Sequence, residues 1–198
     1  VKIWGKANAK EKINVEFLNK RYATIADENG DWKINLKLSN AGGPYRMSIN
    51  EISLNEIYIG DVWLASGQSN MELPMRGLKP LYENEIKTAN NPNIRFFTVP
   101  QKYDFKTQRE DLESGKWEAT NSQTILNFSG VAYFFAKSLY EKNKVPVGII
   151  NASLGGSPVQ AWMDFNSLKK FPEYQAEAKY WQNDELIKTT ESSEQALS

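Results

Sequence analysis

Apolar and polar residues alternate with a period of two over the first part of the chain. Val1-Lys2-Ile3-Trp4-Gly5, Lys12-Ile13-Asn14-Val15-Glu16-Phe17 and Trp32-Lys33-Ile34-Asn35-Leu36-Lys37-Leu38 follow this pattern, and Met47-Ser48-Ile49-Asn50 continues it. A period of two turns one face of a strand to a core and the other to water, as in antiparallel sheets. Turn residues separate the runs: Asn19-Lys20, Glu28-Asn29-Gly30-Asp31 and Ala41-Gly42-Gly43-Pro44. Short strands at this spacing predict a small antiparallel β-sandwich over residues 1–56. Trp4, Tyr22, Trp32 and Tyr45 could form a sugar-stacking face. Ordinary core and edge packing is the favoured reading, because aromatic side chains dominate core energetics.

The pattern changes near Asn55. Ile57 to Ala65 is one continuous apolar run, which predicts a strand covered on both faces. Tyr82 to Ala89 reads as a short helix ended by Asn90-Asn91-Pro92. Asn93 to Val99 reads as a second strand, stopped by Pro100. Residues 101–127 are polar with no clear period and read as a long loop over one edge, pinned by Trp117. Ser129 to Asn143 is the strongest helix, capped by Ser129, with an apolar stripe of Val131, Ala132, Phe134, Phe135 and Leu139. Pro146 to Ala152 is a third apolar strand. Strands alternating with helices predict an α/β fold with a parallel sheet. Beyond Asp164 the signal fades: Leu168 to Leu186 reads as helical, and Glu191-Ser192-Ser193-Glu194-Gln195 as an exposed loop.

Two strand ends carry the candidate chemistry. The first apolar run breaks at Ser66-Gly67 and opens into Gln68-Ser69-Asn70. That sets a hydroxyl at the carboxyl edge of the sheet, where open α/β sheets place ligands. Gly67 permits a tight turn, and a helix beginning behind it aims free N–H groups at the serine. An exposed nucleophile beside such donors is what acyl transfer needs. By itself a Gly-x-Ser-x stretch can also be only a turn. The third strand breaks in the same way, into Ser153-Leu154-Gly155-Gly156-Ser157-Pro158. The glycine pair lets backbone approach a ligand with its N–H groups bare. A second break of small residues at the same edge is what an oxyanion site requires.

Composition narrows this chemistry. The 198 residues hold 24 Lys+Arg against 24 Asp+Glu, a net charge of zero, and no basic patch points to nucleic acid as a partner. No apolar run reaches the roughly 18 residues of a membrane span. Cysteine is absent, which excludes disulfides and thiolate catalysis from these residues. Histidine is absent too, so a Ser-His-Asp device is not completed within this sequence, and a zinc site would rest on carboxylates alone.

Three blocks in order, from Ala41-Gly42-Gly43-Pro44-Tyr45 through Ile59-Gly60-Asp61-Val62-Trp63-Leu64 with Gly67-Gln68-Ser69-Asn70-Met71-Glu72, to Val145–Ser153 with Gly155-Gly156-Ser157-Pro158 and Ala161-Trp162-Met163, resemble the sialate O-acetylesterase family. That family is a branch of the SGNH (GDSL-like) serine esterases. The resemblance covers nearly all the chain up to Met163. It implies a flavodoxin-like parallel sheet with helices on both faces, preceded by the sandwich. The division would be a sandwich domain over residues 1–56 and the amino-terminal part of a catalytic domain over 57–198. It implies Ser69 as nucleophile, and oxyanion donors from the Ser69 N–H and from the glycine pair, taken as Gly156 with Gly155 beside it. Gln68, Asn70, Gln160 and Trp162 take supporting roles. Gln160 stands where relatives usually carry glutamate, and Ala65 where they often carry cysteine.

No metal or cofactor is implied. The family's later blocks, a side-chain asparagine donor and an Asp-x-x-His base, have no match here. The chain therefore reads as an amino-terminal portion, with its base expected on a C-terminal segment that is separate or missing. The implied substrate is an O-acetylated sialic acid, or another acetylated sugar such as xylan. A carbohydrate-binding relative without catalysis is the alternative. The implied location is periplasmic or secreted.

Overall fold

The computed structural model describes residues 1–37, 40–102, 104–107 and 109–196. Leu38, expected at a strand end, and Tyr103 and Gln108, expected in the long loop, lie outside the described residues. So do Leu197 and Ser198.

The alternating segments form strands β1 (Lys2–Lys6), β2 (Lys12–Phe17), β3 (Lys20–Ile25), β4 (Asp31–Asn35), β5 (Gly42–Ile49) and β6 (Ile52–Ile59). β1 pairs with β4, and a four-stranded antiparallel sheet runs β3-β2-β5-β6. Strand β3 is not visible in the sequence pattern, because Lys20-Arg21 and Ala23-Thr24 leave few large apolar residues to alternate. Its hairpin with β2 turns through Leu18 and Asn19, both at positive φ (50° and 59°), which matches the twist of the flanking strands. The two sheets enclose one core built from Ile13, Val15 and Phe17 of β2, Trp32 and Ile34 of β4, Leu36 and Met47. Each such side chain contributes about 1.5–3 kcal/mol by leaving water. Tyr22 and Tyr45 pack against this core, so three of the four early aromatics are packing residues. Trp4 is exposed.

The apolar run Ile57–Ala65 is not one strand. It breaks at Gly60, where β6 ends and β7 (Asp61–Gly67) enters a second sheet. The cause is local. A Cβ on residue 60 would lie 2.0 Å from the Pro146 carbonyl oxygen. The Asp61 N–H donates to that same oxygen at 2.9 Å. Nor is β7 covered on both faces: Val62 is 62% and Leu64 69% exposed, on an edge strand of the described sheet.

After β7 come α1 (Ser69–Glu72), α2 (Lys79–Thr88), β8 (Asn90–Thr98), β9 (Trp117–Asn121), α3 (Gly130–Asn143) and β10 (Val147–Ser153). The sheet order is β7-β10-β8-β9. The first three strands are parallel, as the alternation predicts, and β9 adds antiparallel to β8. The stretch expected as a loop therefore contains a strand. Trp117 does pin it: its ring sits 5.7 Å from that of Phe97, and a Cβ on Gly148 would come within 3.1 Å of it.

Helix α3 is capped as expected, with Ser129 Oγ accepting the Ala132 N–H. Its buried face matches the expected stripe only in part: Ala132 is in the core and Phe134 and Leu139 pack against it. Gly130, Ala132, Tyr133 and Ala136 face the core, while Val131 and Phe135 are exposed. Small residues let the helix approach the sheet closely, and the larger ones turn sideways, Phe135 meeting Trp63 edge-on at 5.2 Å. Beneath α3 the core contains Met75, Ile94, Val147 and Ile149, with Phe96 stacked on Phe128 at 4.1 Å.

Helices α2 and α3 are joined through Glu85. It accepts from the Tyr133 hydroxyl and from Lys137 Nζ at 2.7 Å on each carboxylate oxygen. Burial alone raises the Glu85 carboxyl, but the hydrogen bonds from Lys137 and Tyr133 outweigh it and leave the group below its ordinary value. Burial first, and Glu85 second, push the Tyr133 phenol up.

The chain continues into α4 (Pro172–Tyr180) and α5 (Asp184–Gln195). Residues 191–195 thus belong to a helix rather than a loop. Their small polar side chains are accommodated locally. Thr189, Ser192 and Ser193 donate to the carbonyls of Glu185, Lys188 and Thr189 at 2.8, 2.8 and 2.9 Å. Asp184 and Glu185 sit in the first turn, where the helix dipole favours acids.

Two stability measurements follow. Gly60→Ala forces a Cβ into the Pro146 carbonyl and is expected to cost about 1–3 kcal/mol in denaturant melts. Glu85→Gln removes the charge that holds Lys137 and Tyr133, and is expected to cost about 1–3 kcal/mol at neutral pH. A carboxyl lowered on folding stabilises above its unfolded value and loses that contribution as pH falls through the folded one. The difference between wild type and Glu85→Gln should therefore shrink as the pH drops below 4.5.

Candidate active site

β7 and β10 pair in parallel with Gly67 opposite Ser153, so both strands stop at one level. The Leu154 N–H donates to the Gly67 carbonyl at 3.0 Å and ties the two exits together. Past Gly67 the chain turns directly into α1. The N–H groups of Met71 and Glu72 close on the Gln68 carbonyl at 2.9 and 3.0 Å.

This short helix does not stand alone. The Gly130 N–H donates to the Leu73 carbonyl and the Met75 N–H to the Phe128 carbonyl, each at 2.9 Å. The fully buried Met75 anchors the segment in the core, so α1 is clamped between the end of β7 and the start of α3.

Ser69 is exposed at the head of α1. Its hydroxyl donates to Gln68 Oε1 at 2.6 Å, and its N–H donates to the same oxygen at 2.8 Å. Across the edge lies the Gly155-Gly156 turn. A Cβ on Gly155 would sit 3.7 Å from Ser69 Oγ and 2.4 Å from Glu72 Oε2, so a side chain there would displace the carboxylate. Gly156 has φ of +75° and open space around its Cβ position. Its N–H has no protein acceptor among the described residues.

The Gly155 N–H, in contrast, donates to Glu72 Oε2 at 2.6 Å. Glu72 Oε1 accepts from Gln101 Nε2 at 2.7 Å, and that nitrogen also reaches the Ser153 carbonyl at 3.2 Å. Neither Glu72 nor Gln101 stands out in the sequence as a site residue. The available signal for Glu72 is its spacing, three residues after Ser69, which puts both on one side of a helical turn.

The remaining expected residues fall around this edge. Trp162, in the single 3₁₀ turn Val159–Trp162, donates through Nε1 to Ser157 Oγ at 2.9 Å, and Ser157 Oγ donates to the Leu154 carbonyl at 2.6 Å. Trp162 thereby props the glycine turn from behind. Asn70 is exposed and Gln160 half-buried, and neither side chain makes a hydrogen bond among the described residues. The structure thus brings Ser69, Gln68, Gly155 and Gly156 together, links Trp162 to them indirectly, and leaves Asn70 and Gln160 without a bond to the serine.

Among the described residues no cluster of three or more acidic side chains is placed to hold a metal. No helix among them is long and apolar enough to cross a membrane. A cavity of about 540 Å³ lined by Tyr58, Asp61, Arg95, Trp117 and Gly148 opens at the amino ends of the parallel strands, away from the serine.

The chain is similar to proteins already known. Human sialate O-acetylesterase is 26% identical over 188 residues, covering 84% of this chain and 36% of the human protein. The rat sialate O-acetylesterase is 26% identical over 192 residues, covering 84% of this chain and 34% of its own length. The crystal structure of a carbohydrate acetylesterase from Xanthomonas citri superposes with a TM-score of 0.78 at 36% identity, covering 86% of this chain and 40% of that one. The chain thus spans about a third of the length of these mammalian relatives. Residues 59–190 match the family described as carbohydrate esterase, sialic acid-specific acetylesterase, and with the serine and glycine turns at one sheet edge the chain belongs to that family.

Proposed function

We propose that this protein removes O-acetyl groups from sialic acids by a serine mechanism with a covalent acetyl-enzyme. The observation that carries the reading is the meeting of an exposed Ser69 with the Gly155-Gly156 turn at one sheet edge. In the first step a base takes the Ser69 proton and Oγ attacks the acetyl carbonyl. The oxyanion accepts from the Ser69 and Gly156 N–H groups, and the sugar hydroxyl leaves with the proton. Water then attacks the acetyl-serine and acetate departs.

The Ser69 N–H is engaged by Gln68 Oε1. An ester oxygen that takes this donor displaces the glutamine side chain first. Asn70 and Gln160, polar and without a hydrogen bond among the described residues, are assigned to sugar hydroxyls in this reading. The base is a histidine held by an aspartate on a segment outside these 198 residues, which contain no histidine.

The two hydrophobic cores share no residue. This supports dividing the chain into a β-sandwich over 1–56 and the amino-terminal part of the catalytic domain over 57–198. A periplasmic or secreted location goes with a glycan substrate. A wider range of acetylated glycans, xylan among them, is the second reading. It is favoured by the structural neighbour, described as a carbohydrate acetylesterase without a named sugar.

Acetate release from O-acetylated sialic acid and from acetylated xylan, measured in parallel on the protein as its gene encodes it, separates these readings. Ser69→Ala is expected to lower turnover on the order of 10³-fold or more. Unchanged activity in that variant would sink the serine assignment. Sugar binding with no acetate release from wild type would place the protein among non-catalytic relatives. Residues 1–198 by themselves are expected to retain only the slow turnover that binding and oxyanion donors give without a base, and full activity from them would refute an external histidine.

A further inference from the structure

We propose that Glu72 is the positioning residue of the oxyanion site: its carboxylate fixes the Gly155-Gly156 turn against α1 and leaves the Gly156 N–H as the free donor. This rests on the serine-esterase reading above and adds to it a residue that acts through the turn rather than on the substrate.

The geometry is specific. Ser69 and Glu72 are the first and last residues of the same helical turn. The turn that carries the nucleophile therefore also carries the group that grips the opposite loop. Glu72 Oε2 receives the Gly155 N–H at 2.6 Å, a charge-assisted bond from a half-buried carboxylate. Gln101 holds the other carboxylate oxygen at 2.7 Å and reaches the Ser153 carbonyl at 3.2 Å, so the grip extends to the end of β10.

The Leu154 N–H to Gly67 carbonyl bond fixes the preceding peptide. Two consecutive N–H groups, those of Leu154 and Gly155, are thus tied to the β7–α1 side. The next one, on Gly156, is without an acceptor among the described residues and sits at φ of +75°. The carboxylate bridge, together with the Leu154 bond, ties the turn that carries the donor to the turn that carries the nucleophile. A Cβ on Gly155 would meet Glu72 Oε2 at 2.4 Å, so a side chain there competes with the bridge.

The test compares Glu72→Gln, Glu72→Ala and Gly155→Ala in the protein as its gene encodes it, using an aryl acetate and O-acetylated sialic acid. Glu72→Ala frees the turn and is expected to lower kcat about 10–10²-fold with KM little changed, since misplacement of one donor acts mainly on the transition state. Glu72→Gln keeps an acceptor for the Gly155 N–H and is expected to restore kcat to within about 10-fold of wild type. Gly155→Ala pushes the carboxylate away and is expected to reproduce the Glu72→Ala loss. In the Glu72→Ala background it should add little, since the clashing atom is gone.

If Glu72→Gln is as slow as Glu72→Ala, the carboxylate has a role other than accepting the N–H, and the proposal falls. It also falls if Gly155→Ala leaves kcat unchanged, a result that stays decisive even if Glu72→Ala does not fold. Ser69→Ala is assayed beside them. Retained turnover there overturns the serine reading, whereas lost turnover there with normal kcat in Glu72→Ala overturns only the positioning role.

Discussion

The parallel register of β7 on β10 is the constraint from which the site follows. Backbone pairing sets Gly67 level with Ser153, and the Leu154 N–H then closes on the Gly67 carbonyl. Once two neighbouring parallel strands end at one height, whatever follows each of them must share the same few ångströms. Here one exit carries a hydroxyl and the other carries the Gly156 N–H, which has no acceptor among the described residues. No side chain has to reach far, and the parts that meet are mostly main chain. The edge is held in place by the sheet itself.

The register is in turn held by packing on one face. Phe96 stacks on Phe128, and the Phe128 carbonyl receives the Met75 N–H that anchors the segment behind α1. Ala132 and Ala136 let α3 lie close to the sheet. The start of α3 reaches back to Leu73 through the Gly130 N–H. Core, helix cap and the Ser69 turn form one chain of contacts. A loss of packing at Phe128 would therefore be felt at Ser69 without touching it.

Much of this is legible in the sequence where the signal is local. The period-two runs of β2 and β4, the Ser129 cap and the two glycine breaks need only their own residues to be read. What failed depended on partners distant in sequence. Gly60 ends a strand because Pro146, far along the chain, leaves no room for a Cβ. The buried side of α3 follows from how near the helix sits to the sheet, which favours Ala132 and Ala136 over the larger Val131 and Phe135. β9 is polar because only part of it is covered, and in α5 the Thr and Ser hydroxyls find carbonyls one turn back, a helical partner that cannot be read one residue at a time. Glu72 lies inside a recognised block, yet its role appears only when Gly155 is placed beside it.

β7 has a property that concerns neither fold nor catalysis. Its outer backbone rim is unpaired in the described sheet, and Val62, Trp63 and Leu64 along it are all exposed. A rim of free amides flanked by bulky apolar side chains is a template that accepts another strand with little selectivity. No lysine or proline in Val62-Trp63-Leu64-Ala65-Ser66 blunts it, so the rim is open to a strand from another segment or another chain.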